Sequence, residues 1–154
     1  MEQNKFKKYF LILISFFVIY SCQFDWVEER HISLDKIEFG SGVRDSFKQK
    51  SLKYFSQNPS NNNHGLKISN LQFKKKNFYG GIAARAKQIE IVGQLEYSFT
   101  NMASTKSGKL DISGWIPVNE NNPQAEIMAQ RKMIEELESL LLEDLLKEYW
   151  LIES

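Results

Sequence analysis

Between Gln88 and Phe99 the chain alternates polar and apolar residues almost without a break. Ile89, Ile91, Leu95, Tyr97 and Phe99 fall between Gln88, Glu90, Gln94, Glu96 and Ser98, with Val92 and Gly93 inverting the order locally. Neighbouring side chains on a strand point to opposite faces, so this stretch is a strand with one dry face and one wet face. A sheet built around it has one apolar face to bury, and the helices of the chain must share that side.

The remaining periodicity supplies the partners. Ile32, Leu34, Ile37 and Phe39 read as a short first strand with a phase break near Asp35 and Lys36 that a bulge could absorb. After the turn at Gly40 and Gly42, Ser41 is placed to cap a helix, with Asp45 near its positive end. Val43, Phe47, Ser51, Leu52 and Phe55 share one face of that helix, which is expected to stop at Asn58 and Pro59. Leu66, Ile68, Leu71 and Phe73 give a second strand with one phase slip, and Lys74, Lys75 and Lys76 with Tyr79 read as the next connection. Leu110, Ile112, Ile116 and Val118 make a fourth strand, with Gly114 its weak point.

Pro123 opens a last helix, and Ile127, Ile134, Leu137, Leu141, Leu145 and Tyr149 recur along it at helical spacing. Some 28 residues would run about 42 Å, longer than the sheet expected beneath it. Glu135, Glu136, Glu138 and Asp144 read as its solvated face. The fold class is α+β: a two-layer sandwich in the order β-α-β-β-β-α, with a four-stranded mixed sheet and two helices on one face.

Composition narrows the function. With 154 residues, 42% hydrophobic and 25% charged, this is one globular domain, and a net charge of +1 gives no field for nucleic acid. One cysteine excludes an intrachain disulfide, and with only two histidines, His31 and His64, a closed structural zinc site is not expected. No nucleophile elbow, phosphate loop, dinucleotide fingerprint or zinc-protease motif is present. His31 stands beside the first strand and His64 in a polar loop, outside any motif of these kinds, so no enzyme, no cofactor and no metal are expected.

The N-terminus points to a compartment. Lys5, Lys7 and Lys8 precede eleven nearly unbroken apolar residues, 10–20. As a helix these span about 16 Å, against roughly 30 Å for a bilayer core, which fits the apolar region of an export signal. Ile19, Tyr20 and Ser21 before Cys22 resemble a bacterial lipobox, although Tyr20 is bulky for its place. The small Ser21 admits the signal peptidase, and the Cys22 thiol is the nucleophile that takes the lipid. The expected organisation is a signal peptide over 1–21, a lipidated tether over 22–31 and a single domain over 32–154. Gln23 stands where an Asp resembles an inner-membrane retention signal, which implies the outer membrane of a Gram-negative cell, held through N-terminal acyl chains that include palmitate.

With these features the chain resembles the LPS-assembly lipoprotein family LptE. The resemblance rests on the order of elements, on the segment from Gln88 to Phe99, on Asp111-Ile-Ser-Gly114 and on Asn122-Pro-Gln-Ala125 before the last helix. It implies a domain that plugs the lumen of the lipopolysaccharide-inserting outer-membrane β-barrel (LptD-like) and helps that barrel assemble. A polar lumen suits the outward residues Gln88, Glu90, Gln94 and Glu96 as barrel-facing candidates. The family also contacts lipopolysaccharide through basic residues. Tyr79 and Ala129 occupy those two places here, so the candidates are the neighbouring Lys74, Lys75, Lys76, Arg85, Arg131 and Lys132. An alternative is an outer-membrane lipoprotein that faces the periplasm and binds a small amphiphile or cell-wall ligand in an apolar pocket between sheet and helices.

Overall fold

The computed structural model describes residues 31–59, 64–79, 86–102 and 104–153. The expected signal, Ser21, Cys22 and Arg85 lie outside these residues. The elements are β1 (Ile32–Leu34), β2 (Lys36–Phe39), α1 (Asp45–Tyr54), β3 (Phe55–Gln57), β4 (Gly65–Tyr79), β5 (Ala86–Thr100), β6 (Thr105–Pro117) and α2 (Pro123–Glu153). The main sheet runs β2-β4-β5-β6, with β2 parallel to β4 and the other pairs antiparallel. Both helices lie on one face of this mixed sheet, as the α+β reading requires: Val43 and Phe47 of α1 share a core with Leu66 and Leu95 of the sheet and Leu141 and Leu145 of α2.

Several boundaries differ from expectation, each for a physical reason. The phase break at Asp35 is no bulge. It divides the first strand, so that β1 leaves the main sheet and pairs in parallel with β3, Ile32 opposite Phe55. That pairing also ends α1 early. Phe55 and the two residues after it extend towards Asn58, whose N–H binds the Leu34 carbonyl at 2.7 Å, before the helix can reach Pro59. Leu52 is therefore exposed on the helix surface while Phe55 is wholly buried. Ser41 does not cap the helix. Arg44 is the extended N-cap residue, with no side-chain cap bond, and Asp45 in the first turn binds Lys48 at 2.8 Å.

The expected slip in β4 is a register shift between Ile68 and Asn70. Beyond it β4 continues through Lys74, Lys75 and Lys76 to Tyr79, in place of the expected connection. The lysines pair with Val92, Ile91 and Glu90 of β5, so the β-ladder holds a stretch whose charge suggested a loop. The inversion at Val92 and Gly93 is also absent. Positions 89 to 99 keep one alternation, and Gly93 is on the buried side. A Cβ there would come within 2.8 Å of the Phe73 ring and 3.3 Å of Leu141, so the bare backbone lets the ring and the helix settle onto the sheet. Gly114, the weak point of the fourth strand, plays the same part under the Met133 thioether.

α2 begins at Pro123 as expected, and Asn122 Oδ1 caps it by accepting from the Ala125 N–H at 3.0 Å. Its 31 residues run about 46 Å. β4 and β5, at 15 residues each, run about 50 Å, so the helix is matched by the sheet. Leu146, Tyr149 and Ile152 still pack on the core at its far end.

One expected surface charge is buried. Glu138 faces α1 and is 1% exposed. Lys50 Nζ donates to its Oε2 at 2.9 Å and to the Glu135 carbonyl at 3.1 Å. Arg44 lies 3.5 Å from Oε1, which accepts no hydrogen bond among the described residues, and stacks over the Phe73 ring at 4.8 Å. Glu138 thus ties the two helices together.

Two substitutions test this packing. Gly93→Val should cost about 1–3 kcal/mol by overpacking against Phe73 and Leu141, read as a lower urea midpoint at an unchanged slope. Lys50→Met should cost about 3 kcal/mol by leaving a buried carboxylate with Arg44 alone, and adding Glu138→Leu should restore most of it. A double-mutant cycle showing independent effects would refute the clamp.

Candidate functional site

The face of the sheet opposite the helices is bare among the described residues. It is formed by the even positions of β5, the odd positions of β6 and, beyond the register shift, the even positions of β4. Gln88 is exposed there, and Glu90, Gln94 and Glu96 are half-buried by their neighbours in the plane. All four barrel-facing candidates therefore line up on one side. Basic and acidic groups interleave around them. Lys76 lies 3.9 Å from Glu90, Lys109 lies 3.5 Å from Asp111, and on β2 Lys36 pairs with Glu38 at 2.5 Å. The hydrogen bond from Lys36 and its charge hold the Glu38 carboxyl below its usual range, and Glu38 raises Lys36 in return. Such an interleaved face has little net field and wide capacity for hydrogen bonds.

One apolar feature interrupts it. Phe78 on β4 and Trp115 on β6 reach over β5 and meet, with ring centroids 4.6 Å apart and planes tilted by 54°. Both rings remain more than two-fifths exposed. Nothing in the sequence expectation of a connection over residues 74–79 pairs these rings. The signal available was that Phe78 keeps step with Lys74 and Lys76.

The basic candidates do not converge. Lys74 and Lys76 project from the bare face. Lys75, one residue out of step, projects to the helix side, where Glu126 of α2 lies 3.8 Å away. Arg131 and Lys132 are exposed on α2, and Lys132 pairs with Glu136 at 3.8 Å. Among the described residues no cluster of three or more His, Cys, Asp or Glu could hold a metal, and no helix is long and apolar enough to cross a membrane.

Two recesses bear on small-ligand binding. The larger, about 340 Å³, is open and lies at the β2 end of the bare face between Lys36, Glu38, Lys67 and Ser98. Its charged lining does not suit an acyl chain. The other lies between sheet and helix, against His64, Phe99, Lys106, Tyr149 and Ile152, and holds about 10 Å³, room for one water. Neither is the apolar pocket that the amphiphile reading requires.

These elements define a class: a two-layer α+β domain whose helices cover one face of a mixed sheet and leave a polar face open. Solved structures share that architecture. The crystal structure of the rare lipoprotein B from Shewanella oneidensis superposes with a TM-score of 0.64, at 9% identity, over 77% of this chain and 96% of that one. The solution NMR structure of an uncharacterized lipoprotein B from Nitrosomonas europaea gives a TM-score of 0.57, at 10% identity, over 75% of this chain and 80% of that one. The likeness is one of fold. No family model and no curated protein matches the sequence.

Beside the smaller recess, the Tyr97 hydroxyl donates to Glu148 Oε2 at 3.0 Å, with Lys106 at 3.8 Å from the same oxygen. Burial first, and then this bond, push the Tyr97 phenol up to about 12. An unfolded tyrosine ionises near 10. The stabilisation is therefore complete below about pH 10 and lost as pH rises towards 12. Alkaline unfolding should fall in that window, followed by tyrosinate absorbance, and Tyr97→Phe should flatten it.

Proposed function

We propose that this protein is an outer-membrane lipoprotein, anchored through Cys22, whose domain fills and braces the lumen of the β-barrel that inserts lipopolysaccharide. The observation that carries the reading is the bare sheet face. It is long, close to charge balance and polar apart from the Phe78–Trp115 pair, as suits a surface that seats against the polar interior of a large barrel. Gln88, Glu90, Gln94 and Glu96 supply its central row. The lipobox-like segment and the architecture shared with two lipoprotein B structures support the same reading. Enzymatic activity forms no part of it. Of the lysine run only Lys74 and Lys76 stand on this face, two residues apart, and they are the residues proposed to meet lipopolysaccharide phosphate, Lys76 exchanging its loose 3.9 Å contact with Glu90 for it.

The decisive experiment is affinity purification of the full-length tagged protein from solubilised outer membranes. An outer-membrane β-barrel of the lipopolysaccharide-assembly type should accompany it in stoichiometric amount, and its absence would end the proposal. Gln94→Arg with Glu96→Arg should lower recovery of the barrel about tenfold by unbalancing the face, while the domain stays folded. Cys22→Ala should release the protein to the soluble periplasm when the barrel is depleted, and mass spectrometry of the unsubstituted protein should find acyl chains on Cys22.

A further inference from the structure

We propose that the outer edge of β4, residues 71–79, takes up an extended acidic segment of another protein as an added strand. This goes beyond the barrel-plug reading and does not rest on it. β4 has β5 along one side for its whole length, but β2 accompanies it on the other side only from Gly65 to Ile68. The chain then turns off at Gly40, whose N–H binds the Ile68 carbonyl at 2.8 Å, and the register shift follows at once. No described strand lies alongside the remaining length. In an antiparallel ladder every second residue directs its N–H and C=O away from its neighbour. Residues 71–79 therefore carry a row of backbone donors and acceptors facing outwards, and side chains 74–79 are all exposed.

The side chains decide what can use this edge. Lys74, Lys75 and Lys76 occupy its middle. Two copies pairing antiparallel about Lys75 would set Lys75 against Lys75 and Lys74 against Lys76, and like charges directly opposite one another oppose pairing. The edge thus rejects its own copy. A strand with alternating carboxylates meets it in register, its charged positions on the bare face towards Lys74 and Lys76 and the apolar residues between them on the helix side. The contacts these lysines already have are loose, 3.8 Å to Glu126 and 3.9 Å to Glu90, while Lys74 has no ion-pair partner among the described residues. Phe78 and Tyr79, 42% and 62% exposed, add apolar surface where such a strand would end.

The opposite edge of the sheet lacks this character. On β6, Lys106 faces Glu148 and Lys109 faces Asp111, and the strand ends on Pro117, which has no N–H to give.

The test uses a fluorescent eleven-residue peptide of alternating Glu and Val, titrated into the full-length protein in detergent and followed by anisotropy. Saturable binding is expected, with slowed amide exchange in residues 71–79 and none in 105–117. Lys74→Glu with Lys76→Glu should weaken it at least about tenfold without moving the thermal midpoint. A peptide of the same charge with its central Val replaced by Pro should fail to bind, because strand addition needs backbone hydrogen bonds. Absence of saturable binding, equal binding of the proline peptide, or protection on β6 instead of β4 would each overturn the proposal. Barrel co-purification is read separately, so either idea can fail alone.

Discussion

The hydrophobic face of β5 can be buried only once, and the rest of the domain follows from that. Ile89, Ile91, Leu95, Tyr97 and Phe99 need cover, while the residues between them need water or a polar partner. Both helices therefore crowd onto one side, where Leu141 and Leu145 of α2 and Phe47 of α1 are wholly buried. The other face is left bare by the same alternation. A two-layer body with one open polar wall is the direct result, and that wall carries the proposed function.

Crowding two helices onto one face creates problems that particular residues solve. α2 must come close to the sheet along about 46 Å, and Gly93 and Gly114 remove the side chains that would hold it off. α1 must sit beside α2, and the contact is made through a buried carboxylate answered by Lys50 and Arg44. A buried ion pair adds little net stability over well-packed apolar residues, but once built it fixes how the helices meet. Arg44 serves twice, since its guanidinium also covers the Phe73 ring that fills the space over Gly93.

The lysine run shows how position governs meaning. Within a strand, three consecutive lysines cannot act as one patch, because alternation sends the middle one to the opposite face. Lys75 meets the first turn of α2, and Lys74 and Lys76 remain on the open wall. The same run lies along a stretch of strand edge, where like charge guards against self-association. A feature that resembled a basic loop is a divided charge and a selective border.

The sequence by itself determined the fold class, the β5 alternation, the start of α2 at Pro123, and the side on which Gln88, Glu90, Gln94 and Glu96 fall. Each is set by local spacing or by the chemistry of a few adjacent residues. Tertiary structure alone decided the departure of β1 to pair with β3, the early end of α1 at Tyr54, the extension of β4 through its lysines, the burial of Glu138 and the meeting of Phe78 with Trp115. These depend on which distant segment offers a backbone ladder, a counter-charge or a ring. Periodicity reports only how a residue stands to its own neighbours in the chain, so it is silent about partners from other segments.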